Sequence, residues 1–182
     1  MKHIKSILVP TDLSENSRRG LVYGSALAAD NHATLTILHV ANEFLAWEHF
    51  SDESAFAYRS DKAWPVDRVL SEATLDLNRF IEPHLHIMKN LPQVTKRIVL
   101  GVVAEQIAAT AEEERADLVI MSPRRNYQWR HWLSGSITDR VTRRCPCPVL
   151  SVTAPLPSRS WRRRRAPALF GWPRQRAAAL GA

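Results

Sequence analysis

Cysteine is scarce in this chain: there are two, Cys145 and Cys147, with one proline between them. Two thiols cannot staple a disulfide framework, and Cys-Pro-Cys lacks the two-residue separation usual in a zinc knuckle or redox pair. A reducing, cytoplasmic setting fits. Long apolar runs are missing too, none approaching the ~20 residues of a membrane span. The N-terminal MKHIKSILVPTD breaks at Pro10 and leads into a strand pattern, so it does not read as a signal peptide. Acids are missing from one region only. Residues 154–182 hold Arg159, Arg162, Arg163, Arg164, Arg165, Arg174 and Arg176 and no Asp or Glu, so the tail carries the whole net charge of +7 and the rest is formally neutral. Any partner inferred from the basic balance is therefore a partner of the tail. Signatures of catalysis are also absent: no Walker loop, no G-x-S-x-G elbow, no H-E-x-x-H and no acid pair at meaningful spacing. The chain reads as a binding or regulatory module and not as an enzyme.

What is present alternates strand and helix patterns within 182 residues, enough for one domain with a real core. Lys5 to Pro10 reads as a first strand. Asp12 or Ser14 is expected to cap a helix running to about Asp30, with Leu21, Val22, Ser25, Ala28 and Ala29 toward the sheet. Thr34 to Val40 is the second strand, and its His39 is expected to be a satisfied core residue. After Pro65, Val66, Val69, Leu70, Ala73, Leu77, Phe80 and Ile81 recur at intervals of three and four, predicting a helix that Pro83 ends. His84 and His86, two apart and without a further ligand at recognisable spacing, read as surface residues. Val94 to Leu100 reads as an edge strand, the segment from Gly101 as the start of the next helix, and Glu112 to Glu114 as its solvated face. Asp117 to Met121 and Pro148 to Val152 are short apolar runs expected to form strands buried on both faces. Between them, Ser136 and Asp139 have capping-box spacing, which opens a helix. Five such alternations argue for a doubly wound parallel sheet. No internal repeat is found.

Three blocks carry a resemblance: ILVPTDLSENS at Ile7 to Ser17, ILHV at Ile37 to Val40, and Asp117 to Val152 with its Gly135-Ser136 pair. Together they resemble the universal stress protein family over about residues 4 to 153. The resemblance implies a Rossmann-like sheet in the order 3-2-1-4-5, a domain over residues 1–153, and a homodimer paired through the last strand. It also implies an ATP site at Pro10, Asp12, Val40, Ser122, Arg124, Arg125, Gly135 and Ser136, in which the matching aspartate and the backbone near Val40 contact adenine. Members that bind nucleotide carry two glycines three apart, then Gly followed by Ser or Thr. Here the last pair stands, but Ser122 and Arg125 occupy the glycine positions. Glycine lets backbone approach phosphate and point successive N–H groups into one concavity. Pro123 removes an N–H, and Arg125 puts a long side chain where space is needed. ATP binding is expected to be weak or lost, although Arg124, Arg125, Arg130 and His131 offer guanidinium or imidazole contacts to phosphate.

Aromatic residues are concentrated in two places. Phe44, Trp47, Phe50, Phe56, Tyr58 and Trp64 read as a cover over the sheet's carboxyl edge, or as a surface for a protein partner or a lid. Tyr127, Trp129 and Trp132 interleave with Arg130 and His131, a mixture that anchors a loop or stacks bases. The tail, residues 154–182, is expected to be disordered in isolation. Its Arg162, Arg163, Arg164 and Arg165 suit an anionic membrane or nucleic acid. The reading is a non-catalytic stress-response module with a degenerate nucleotide site. The alternatives are a nucleotide-dependent switch using Asp12, Val40, Arg124, Gly135 and Ser136, and an adaptor tethered to an anionic surface by the tail.

Overall fold

In the computed structural model, described at residues 3–41, 66–122 and 137–153, five parallel strands form one sheet in the order β3-β2-β1-β4-β5. The strands are β1 (Ser6–Thr11), β2 (Thr34–Ala41), β3 (Val94–Leu100), β4 (Leu118–Met121) and β5 (Val149–Ser151). The helices among the described residues are α1 (Ser17–Asn31), α2 (Val66–Ile81), α3 (Leu85–Met88), α4 (Val103–Glu113) and α5 (Ile137–Arg144), with a 3-10 turn at Glu82–His84 joining α2 to α3.

The strands are apolar on both faces, and period-two alternation divides them between two cores. Ile7, Val9, Leu35, Ile37 and Ile120 face α1, α2 and α3, meeting Leu21, Ala28, Leu77, Phe80, Ile81 and Met88. Leu8, Leu38, Val40, Val119 and Met121 face the other way, onto Ala104, Ile107 and Ala111 of α4 and Val141 of α5. Gly24 lets α1 lie on β1, since a Cβ there would come within 2.6 Å of Val9 Cγ2.

Several expectations are corrected. The first helix begins at Ser17, after a turn, and Val22 and Ala29 are half-buried because α1 rests on the sheet through Gly20, Leu21, Gly24, Ser25 and Ala28. The first turn of α2 lies beyond the sheet's cover, so Val66 is exposed and Val69 and Leu70 half-buried. Pro83 ends the α-helix at Ile81 but not the helical path, because proline is tolerated in the first turn of the helical segments that follow. β5 is an edge strand, as the family resemblance implies, but it is not buried on both faces: Leu150 and Ser151 are exposed. β3, at the opposite edge, is half-buried as expected. The acid run that closes α4 is not simply solvated, since Glu113 and Glu114 grip Arg97 of β3 at 2.8 and 2.9 Å.

Candidate functional site

At their amino ends β1 and β4 are tied together: the Asp117 carboxylate accepts the backbone N–H groups of Lys5 at 2.8 Å and Ser6 at 3.2 Å. At their carboxyl ends they part. The ladder between them pairs Ile7 with Leu118 and Leu8 with Val119 and then stops, while β1 continues to Thr11 beside β2 and β4 continues to Met121 beside β5. Successive residues of a parallel strand direct their backbone groups to alternate neighbours. Ser6 faces β4, accepting from Asp117, and Lys5 faces β2, accepting from Thr34. By that alternation Pro10 faces β4, where it has no N–H to donate. A proline in a central strand thus ends the ladder and opens a crevice at the strand-order reversal, the place where open α/β sheets bind ligands.

The β1 side of this crevice is a finished piece of hydrogen bonding. The Leu13 N–H donates to Thr11 Oγ1 at 3.0 Å, with Leu13 itself held at φ 61°. The Ser17 hydroxyl donates to the Ser14 carbonyl at 2.8 Å, which leaves the buried 2.8 Å contact between Thr11 and Ser17 as a bond donated by Thr11. Asp12 accepts from the Ser14 N–H at 3.0 Å and from the Ser14 hydroxyl. Ser14 in turn accepts the Ser17 N–H at both its hydroxyl and its carbonyl, at 3.3 and 3.1 Å, and so holds the first residue of α1, whose N-cap position is Asn16. Asp12 therefore acts in the turn before α1, locking the residue that holds Ser17. The exposed Asp12 stands at the mouth of the crevice. His39, opposite Thr11 in the ladder, donates its Nδ1–H to the Thr11 carbonyl at 3.0 Å. It is satisfied, as expected, and it braces the ends of β1 and β2. Val40 is buried in the second core, so only its backbone is available to a ligand.

The β4 side is different. Ser122 follows the last residue of β4, and its hydroxyl is buried with no hydrogen-bond partner among the described residues. It lies against α1: a Cβ built at Gly20 would be 3.2 Å from Ser122 Oγ. Of the expected site residues, the structure brings Pro10, Asp12, Val40 and Ser122 to one edge of the sheet. Arg124, Arg125, Gly135 and Ser136 lie outside the described residues, as do the two aromatic segments and the tail. Thr11, Leu13 and Ser17, which build the turn, were not foreseen; the density of hydroxyl and carboxylate residues in TDLSENS was the available signal.

Two other clusters hold titratable groups. His84 is half-buried and not a surface residue, because the 3-10 turn folds its ring back toward α1. Burial first, then Arg18 and His86, hold its imidazole below the ordinary value, against the opposing Phe80 backbone and Glu15. Arg18 itself pairs with Glu15 at 2.6 Å and lies 5.2 Å from the Phe80 ring centroid. On the other face, burial and then Cys147 push the Cys145 thiol up to about 11. Among the described residues no group of three or more His, Cys, Asp or Glu gathers as for a metal, and no helix is long and apolar enough to cross a membrane.

A model of the universal stress protein family matches residues 3–153. A universal stress protein of Methanocaldococcus jannaschii is 38% identical over 161 residues, covering 83% of this chain and 83% of its own length. A second from that organism is 27% identical over 157 residues, covering 81% of this chain and 94% of its own. Among solved structures, a universal stress protein in complex with cAMP matches with a TM-score of 0.54 at 22% identity, covering 83% of this chain and 98% of that one.

Proposed function

The chain belongs to the universal stress protein family, and from that membership we propose that it is a non-catalytic regulatory module of the stress response, with a nucleotide site weakened on its β4 side. The observation that carries this reading is the asymmetry of the crevice. Its β1 wall is preformed, whereas its β4 wall begins with a serine whose hydroxyl is turned against Gly20. Pro123 and Arg125 follow in sequence where a phosphate cradle needs free N–H groups and small residues. The cAMP complex of a structural neighbour supports an adenine nucleotide as the ligand class for this fold. In this chain Pro10, Asp12 and the backbone at Val40 would receive the base, with Ser122, Arg124, Arg125, Gly135 and Ser136 toward the phosphates. The exposed edge at β5, where Leu150 reaches solvent, suits pairing of two copies, and residues 154–182 form an extension for which an anionic surface is the matching partner.

A nucleotide-dependent switch is the second reading, favoured by the completeness of the Asp12 turn. Titration calorimetry of the chain with magnesium ATP at physiological salt separates the two. The weakened site predicts binding no tighter than about millimolar, roughly −4 kcal/mol. Micromolar binding that disappears with Asp12→Ala would establish the switch instead.

A further inference from the structure

β3, the outer strand on the side of the sheet away from β5, takes no part in the crevice, and the ladder shows which of its backbone groups are left over. The Leu35 N–H donates to the Gln93 carbonyl, and the Gly101 N–H donates to the Ala41 carbonyl. Residues of a parallel strand alternate in the neighbour they face, so Gln93, Thr95, Arg97, Val99 and Gly101 are turned to β2. Val94, Lys96, Ile98 and Leu100 therefore present their N–H and C=O groups to the sheet's edge. The same alternation sets these side chains on the α2 side. Val94 and Ile98 pack on the core that holds Leu77 and Ile81, and Lys96 donates to Asn78 Oδ1 at 2.7 Å. Beside this edge lies a groove of about 350 Å³ lined by Leu75, Asn78, Ile81, Glu82, Leu85 and Lys96. Leu75 and Leu85 are 57% and 48% exposed.

An open strand edge beside a partly apolar groove is the arrangement that receives an extended peptide as an added strand, with main-chain bonds giving affinity and alternate side chains giving specificity. Charge decides the occupant. The Lys96 ammonium is bonded to a neutral amide, whereas Arg97, on the opposite face, is held by Glu113 and Glu114. β3 itself contains no acid, so a second copy of this strand offers Lys96 no carboxylate in any register, and like charges across a ladder are destabilising. The arginine-rich residues 154–182 have the same sign. We propose that the β3 edge binds an extended segment of a partner protein in which one acid is flanked, two residues to either side, by apolar residues. The acid pairs with Lys96. Because α2 runs back along the strands that it connects, one apolar residue falls toward Leu75 and the other toward Leu85. Glu82 in the groove disfavours a second acid there.

The test titrates the full chain into the fluorescein-labelled peptide Ser-Thr-Ile-Thr-Glu-Thr-Ile-Thr-Ser and follows anisotropy, beside a version with Lys in place of Glu. The lysine peptide is expected to bind roughly tenfold more weakly, since the exchange removes an attraction and adds a repulsion, each up to about fivefold at an exposed pair. Lys96→Glu should reverse that order. Leu75→Ser and Leu85→Ser, at exposed positions, should each weaken the glutamate peptide roughly fivefold, as expected for losing about 40 Å² of buried apolar surface. Circular dichroism checks that each variant keeps the fold, and the peptide exchange needs no variant of the chain at all. Methylating the backbone nitrogens of both isoleucines and the glutamate should abolish binding, because in antiparallel addition these N–H groups meet β3. Binding that survives methylation, or equal binding of the two peptides, would overturn the proposal. So would failure of the native chain to bind the glutamate peptide, whether the edge is then empty or covered by residues 42–65. An oligomer that dissociates on substitution of Leu75 or Leu85 would give the groove to a second copy and overturn it as well.

Discussion

At the carboxyl end of β1, Thr11, Asp12, Ser14 and Ser17 close a chain of hydrogen bonds around a left-handed Leu13; at the carboxyl end of β4, Ser122 buries a hydroxyl that finds no hydrogen-bond partner among the described residues. The two ends flank one crevice and belong to neighbouring strands, yet one is satisfied on its own and the other is not. A wall that is complete without ligand is there for the fold as much as for binding, since it positions α1 whether or not anything enters. A wall with an unmet polar group has either lost its ligand chemistry or waits for it. On the proposed reading, stability rests on the β1 side and affinity on the β4 side.

Substitutions at the two walls should therefore act with opposite signs. Thr11→Val removes the oxygen that receives the Leu13 N–H and the hydroxyl that donates to Ser17. It is expected to lower unfolding free energy by about 2 kcal/mol, because buried partners are left unmet, and a urea titration with unchanged slope checks it. Ser122→Ala removes an unpaired buried hydroxyl, so the chain should be unchanged or up to about 1 kcal/mol more stable. A loss of stability there as large as that of Thr11→Val would break the comparison.

The smallest effect tests whether the α1 side is also sensitive to pH through His84. Its folded value lies below the ordinary 6.5, so as pH falls from 6.5 through the folded value the unfolded chain takes up the proton first. Stability present above pH 6.5 is then lost in that window. His84→Gln should flatten the fall in midpoint below pH 6.5 while leaving the region above it unchanged; an unaltered slope would mean that other groups carry it.

Much of this architecture was legible in the chain because apolar runs and their punctuation report burial directly. The five strands lie, within a residue or so at each end, where Lys5 to Pro10, Thr34 to Val40, Val94 to Leu100, Asp117 to Met121 and Pro148 to Val152 predicted, and their order follows the family resemblance. The start of α1 was misread because Asp12 and Ser14 are equally good as cap residues and as turn residues. Only the left-handed Leu13 turn decides that the chain bends before it coils. The burial of His84 depends on a 3-10 turn through Pro83, which intervals of three and four do not register. The exposure of β5 depends on its being last in the sheet, which the family resemblance implied and its own apolar residues do not register. The role of Pro10 was legible only in part: the residue reads as a strand end, but its effect depends on which neighbour its missing N–H faces.

The central claim is that the β4 side limits nucleotide affinity, and restoring its small residues tests it most directly. Magnesium ATP affinity would be measured for the native chain and for Ser122→Gly/Arg125→Gly at the same physiological salt. Recovered backbone contact to phosphate is a charge-assisted hydrogen bond of about 1.5–3 kcal/mol, so the double variant is predicted to bind roughly tenfold or more tightly than the native chain. Equal affinity in the two, or tighter binding by the native chain, would contradict the account.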